Sequence, residues 1–275
     1  MNHNDLMTKL LVGAGLAAAF ALTLSSAAPA QTTGNSYQMG ASPLISVDNV
    51  SGSIVVVGDG GSQVRYTAVE TNPDNASNVE IRVTTTNDSL ELYVDGPFRH
   101  HSGDDWDRED RAANRVKFDF ELHVPAGARV ELRSVNGRVS DTATRGGFRV
   151  RTVNGSIDLE QMAGAGTANT VNGSVTAGFS SNPADSCKFG TVNGKLSLYM
   201  PAGLNADLSY HTMNGSVYSD YAVQPLSSAP DESRRGRMIV IRRTSSGRIG
   251  NGGPALELST LNGNIYLHES KAGAR

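Results

Sequence analysis

A six-residue pattern, [Ser/Thr]-[Val/Met/Leu]-Asn-Gly-x-[Val/Ile/Leu], recurs along the chain, and this recurrence constrains the fold more than any other feature. Its marks are Asn136-Gly137, Asn154-Gly155, Asn172-Gly173, Asn193-Gly194, Asn214-Gly215 and Asn262-Gly263. The asparagines stand 18, 18, 21, 21 and 48 residues apart. A degenerate copy, Asn49-Val50-Ser51-Gly52-Ser53-Ile54, opens the series. Another, Thr244-Ser245-Ser246-Gly247-Arg248-Ile249, divides the long last interval. A motif returning about every 20 residues describes one structural unit packed against copies of itself.

Each unit reads as strand, turn, strand. Around Asn154, Phe148, Val150 and Thr152 alternate with Arg149 and Arg151, and beyond the turn Ile157 and Leu159 alternate with Ser156 and Asp158. A period of two is that of a strand with one buried face. Counted from each Asn, positions −4, −2, +3 and +5 form the inward set: Phe189, Thr191, Leu196 and Leu198 around Asn193, and Leu258, Thr260, Ile265 and Leu267 around Asn262. Asn-Gly between such runs is expected to turn the chain because both residues accept positive φ cheaply.

Two architectures share this pattern. In a row of antiparallel hairpins, Arg149 and Arg151 would face Glu160 and Asp158, a favourable cross-strand pairing. In a single-stranded β-solenoid of 18–21-residue repeats, the turn carries the chain between stacked sheets and places Thr over Thr and Asn over Asn. The residue before each Asn is apolar: Val135, Val153, Val171, Val192, Met213 and Leu261. A hairpin would leave these on the polar face, whereas a solenoid corner can turn them inward. That favours the all-β, β-helix-like solenoid.

Residues 1–30 read as a secretory signal: Lys9, an apolar run from Leu10 to Leu24, and the cleavage pattern Ala28-Pro29-Ala30. The apolar run is short of the roughly 20 residues that span a bilayer. The mature chain is thus expected to start at Gln31 and to be periplasmic, cell-surface or secreted, with no membrane span. Residues 31–43 read as a flexible lead-in, 44–268 as the repeat domain with insertions near 99–115 and 225–252, and 269–275 as a tail. Net charge is −3, which argues against a nucleic-acid binder. The lone Cys187 excludes an intrachain disulfide and reads as a small buried residue.

The run Phe120-Glu-Leu-His-Val-Pro-Ala-Gly-Ala-Arg-Val-Glu-Leu-Arg-Ser-Val-Asn-Gly137 resembles the bacterial putative-adhesin family, a β-strand-repeat domain of unknown function. The opening Val47–Ile54 and closing Leu256–Ile265 segments are similar to that family too, so the resemblance covers about residues 44–268. It implies an exported β-solenoid, with adhesion as the proposed role and no agreed catalytic residues.

Few residues announce chemistry. Gly190-Thr-Val-Asn-Gly-Lys-Leu196 imitates a phosphate loop but lacks its spacing and its Ser or Thr. The acidic stretch Asp104, Asp105, Asp107, Glu109 and Asp110, with His100 and His101 before it, fits no calcium loop and reads as solvated. Arg234, Arg235, Arg237, Arg242, Arg243 and Arg248 form a basic cluster suited to phosphate or carboxylate groups of envelope polysaccharide. No G-x-S-x-G elbow or H-E-x-x-H motif occurs, and no cofactor or metal is implied. The expectation is a non-enzymatic envelope or surface interaction module, with polysaccharide or another protein as partner. A solenoid-type carbohydrate-active enzyme and a structural or envelope-stress protein without a ligand are the alternatives.

Overall fold

The computed structural model describes residues 31–71, 79–96, 116–226, 232–235, 238–241 and 244–270. Residues 1–30, 72–78, 97–115, 227–231, 236–237, 242–243 and 271–275 lie outside them. The first strands in the chain are β1 (Gln31–Gln38), β2 (Leu44–Ser51), β3 (Ile54–Asp59), β4 (Gln63–Thr71), β5 (Glu80–Thr85), β6 (Ser89–Asp95) and β7 (Lys117–Pro125). The repeats supply β8 (Arg129–Asn136), β9 (Val139–Thr142), β10 (Phe148–Arg151), β11 (Ile157–Met162), β12 (Gly166–Asn172), β13 (Val175–Phe179), β14 (Cys187–Asn193) and β15 (Leu196–Pro201). There follow β16 (Ala206–Asn214), β17 (Val217–Ser219), β18 (Val223–Pro225), β19 (Glu232–Arg235), β20 (Met238–Ile241), β21 (Thr244–Ile249), β22 (Ala255–Asn262) and β23 (Ile265–Ser270).

Two sheets contain nearly all of these. One runs β1-β4-β7-β3-β9-β11-β13-β15-β23-β17, the other β18-β21-β16-β22-β14-β12-β10-β8-β2-β6-β5. The chain from β8 to β15 alternates between them, and each strand pairs in parallel with the next strand of its own sheet. The Asn-Gly marks therefore join strands of different sheets, which removes the hairpin reading. Arg149 accordingly meets Glu131 on the neighbouring parallel strand at 3.9 Å, while Arg138 pairs with Asp158 at 3.1 Å. Antiparallel strands finish the ends: β1, β4 and β7 on one sheet, β5 and β6 or β16, β21 and β18 on the other. The fold is all-β as expected, but among the described residues it is two mixed sheets with open edges rather than one closed coil.

The inward set is buried as the alternation requires. Val150, Thr152, Ile157 and Leu159, and likewise Phe189, Thr191, Leu196 and Leu198, are all buried. Phe148 and Phe189 of one sheet meet Phe179 of the other, with ring centroids 6.4 and 6.1 Å away, so the two inner faces share one core. Asp141 occupies the +5 position of the Asn136 copy and is fully buried there. Cys187 is buried too, and burial pushes its thiol above its ordinary range.

Three expectations give way. The last repeat does not follow Asn214 in space: β22 inserts between β14 and β16, so the order of marks is Asn193, Asn262, Asn214. The copy at 244–249 is no turn but the strand β21, antiparallel to β16, where Gly247 lets β18 approach; a Cβ there would meet Val223 Cγ1 at 2.3 Å. Residues 31–38, read as a flexible lead-in, form the edge strand β1, where Tyr37 stacks on Tyr66 at 6.4 Å. An edge strand is bonded on one side only, so polar composition does not prevent it.

Candidate functional site

The turn residues build a ladder along one corner of the molecule. The Asn154 side-chain amide donates to Asn136 Oδ1 at 2.9 Å, Asn172 to Asn154 at 2.9 Å and Asn193 to Asn172 at 2.9 Å. Asn262 continues to Asn193 at 2.7 Å, and Asn214 to Asn262 at 2.8 Å. Beneath it, the hydroxyls of Thr170 and Thr191 donate to the carbonyls of Gly155 and Gly173, each at 2.8 Å. Asn49 takes the Thr position in the first copy, donating to the Gly52 carbonyl at 3.2 Å and to the Phe118 carbonyl at 2.7 Å.

The glycines are required for a different reason than expected. No motif asparagine, and none of Gly137, Gly155, Gly173, Gly194 and Gly215, takes a left-handed φ, and Gly263 at 159° is close to extended. What excludes a side chain is proximity: a Cβ on Gly155 would lie 1.9 Å from the Gly137 carbonyl oxygen, and on Gly173 2.1 Å from that of Gly155. Turns stacked at the strand spacing of about 4.8 Å leave no room for it.

The residue before each Asn points outward, not into the corner. Val135, Val153, Val171, Val192, Leu261 and Met213 stand in single file, each between 36% and 52% exposed. The file spans about 24 Å at the inter-strand spacing. It forms an apolar ridge beside the asparagine ladder.

A second file lies on the outer face of the other sheet. Tyr218 on β17 stacks on Tyr266 of β23 at 5.0 Å, Tyr266 lies 5.7 Å from His268, and His268 stacks on Tyr199 of β15 at 5.0 Å. Asp220 Oδ2 meets His268 Nδ1 at 3.1 Å and accepts from the Glu269 amide; these bonds hold its carboxyl below its ordinary range. Burial, with the nearby Glu269 and Asp220 charges, pushes the Tyr221 hydroxyl up to about 12. The repeat pattern carried no signal for this group, whose members come from strands up to 69 residues apart.

The basic cluster is only partly visible. Arg234 and Arg235 lie on β19, whose backbone pairs with β20, and Arg237, Arg242 and Arg243 fall outside the described residues. Arg248 is engaged by Asp207 at 3.0 Å. The acidic stretch 104–110 and Trp106 also lie outside the described residues. An open groove of about 440 Å³ at the opposite corner is lined largely by Gly and Ala, with Arg145, Asp185 and Ser186 as its polar groups.

No family model matches the chain, and neither does any curated protein. Among solved structures it is similar to a "putative cell adhesion protein" from Clostridium sporogenes, at 11% identity over 88% of this chain and 100% of that one, with a TM-score of 0.46. It is also similar to a "putative adhesin" from Bacteroides fragilis, at 11% identity over 86% of this chain and 96% of that one, TM-score 0.39. A "putative adhesin" from Parabacteroides merdae shares 11% identity over 88% and 97%, TM-score 0.22.

Proposed function

We propose that the chain is an exported, non-enzymatic β-solenoid that acts as an envelope or surface interaction module of the adhesin type, with surface polysaccharide or another envelope protein as partner. The alternation of β8 to β15 between two parallel ladders supports the solenoid reading. The ridge of Val135, Val153, Val171, Val192, Leu261 and Met213 carries the functional one. Apolar side chains at a repeated exposed position add nothing to the core, and such contiguous apolar surface marks interaction sites. A stacked repeat presents it as a straight, rigid contact line.

The test is retention of the purified protein on isolated cell envelopes and on purified sacculi. Val153→Lys with Val171→Lys should leave the β spectrum and melting temperature near wild type, because both sites are already exposed, yet lower retention severalfold. Equal retention of variant and wild type removes the ridge from the function.

A further inference from the structure

In the sheet that holds β9, β11, β13 and β15, the regular pleat breaks between β11 and β13, and the break makes a slot. On β11 the register shifts between Leu159 and Met162, so that two residues, Glu160 and Gln161, stand opposite one on β13. Gln161 takes a positive φ of 55°, and the Ser180 hydroxyl donates to the Met162 carbonyl at 3.0 Å, which pins the bulge. Bulges re-aim side chains, and non-glycine residues with positive φ persist only where the surroundings hold them. Both Glu160 and Gln161 are exposed.

The residue opposite this bulge is Gly178, at an outward position of β13 between the buried Ala177 and Phe179. Its φ is ordinary, so no turn requires glycine there. A Cβ built on it would meet only the Leu159 carbonyl oxygen, at 3.8 Å. On the far side Gly178 pairs with Tyr199, which is 41% exposed. Tyr199 stacks on His268 with centroids 5.0 Å apart, near the strand spacing, and planes within 24°. Tyr199 therefore stands on the outer face beside Gly178, with Glu160 and Gln161 on the far side of the glycine in the same row. Walls two strands apart are separated by about 10 Å. A ring in van der Waals contact with Tyr199, at about 4 Å, fits between them.

We infer that this slot, walled by Tyr199 and the Glu160–Gln161 bulge and floored by Gly178, binds a neutral saccharide ring. A pyranose offers an apolar C–H face to the tyrosine ring and hydroxyls at its edge to a carboxylate and an amide, which are the groups the bulge presents. The carboxylates of Glu160 and of Asp220, beyond His268, disfavour an anionic ligand. This deepens the interaction-module reading by naming its ligand class, and it uses none of the ridge residues.

Titration calorimetry of the full mature chain with cellotetraose and with the β-1,4-linked tetramer of N-acetylglucosamine tests it, with tetramethylammonium as the cationic probe. Saccharide binding below about 10 mM is expected. Tyr199→Ala and Gly178→Leu should each weaken it by about tenfold or more, and Tyr218→Ala by less than about twofold. Should Gly178→Leu lower the melting temperature, Gly178→Thr repeats the block with a smaller side chain. The ridge variant should bind the tetramers normally, so equal envelope retention by that variant and wild type, with saccharide binding intact, fails the ridge alone. No saccharide binding by wild type, binding indifferent to both slot variants, or binding of tetramethylammonium instead overturns the assignment.

Discussion

Replacing Asp141 with Asn should remove a large part of the pH dependence of folding. Asp141 sits fully buried among inward-facing residues of β9, with Val139 two residues before it and Leu159 paired across the ladder. The Thr144 hydroxyl donates to Oδ2 at 2.7 Å, while Oδ1 has no partner. Burial raises its pKa from 3.8 to about 7, against the smaller lowering effect of the Thr144 bond. Below about pH 4 both folded and unfolded chains hold the proton, and ionisation costs nothing. Between about pH 4 and 7 the unfolded chain releases it and the folded chain keeps it, so stability falls as pH rises. Above about 7 both are ionised and the full penalty stands. Roughly three pKa units at about 1.4 kcal/mol each give a loss of about 4 kcal/mol across that window. Asn keeps an oxygen for Thr144 and cannot ionise. Urea unfolding of wild type and Asp141→Asn at intervals from pH 4 to 8 should therefore give a stability difference that grows in the variant's favour with pH. Every other titrating group cancels in that difference. A constant offset between the two profiles would refute the assignment.

Four further outcomes follow from the same geometry. Gly173→Val should destabilise by about 3 kcal/mol or prevent folding, because the Gly155 carbonyl oxygen lies 2.1 Å from any Cβ there, whereas Gly178→Ala should be nearly neutral; differential calorimetry of the pair checks both. Asn172→Ala removes one ladder bond on each side and should cost about 1–2 kcal/mol in urea unfolding, reduced by the exposure of the corner. Arg234, Arg235 and Arg237 changed together to Ser should weaken retention on anionic glycan at low salt while sparing the melting temperature, and wild-type retention should fall as salt rises; equal behaviour of the two proteins removes the anion contact. Mature protein recovered from periplasm or medium should begin at Gln31, as N-terminal sequencing would show, and an intact Met1 on the soluble form would overturn export.

What could be read from the sequence follows what is local. Burial of Thr152, Thr170 and Thr191 under the asparagines was legible because a period of two assigns faces without knowledge of neighbours. The stacking of Asn on Asn was legible because identical turns repeat. The outward direction of Val153 was not, since hydrophobicity reports a preference for burial while the angle between the sheets decides whether the corner residue obtains it. Nor could near-identical copies specify their order: Asn262 fits beside Asn193 as well as Asn214 does, and β21, paired antiparallel to β16, brings the chain back so that β22 enters between them. The slot was hidden for a related reason. Glu160, Gly178, Tyr199 and His268 are each unremarkable in their own strands, and an outward glycine in a strand signals nothing by itself. Only parallel pairing, which adds one strand per pass of the chain, sets a bulge, a missing side chain and an aromatic ring on one row. In a stacked fold, function of this kind is written where a row departs from the repeat, so the departures, more than the motif, are the residues to mutate.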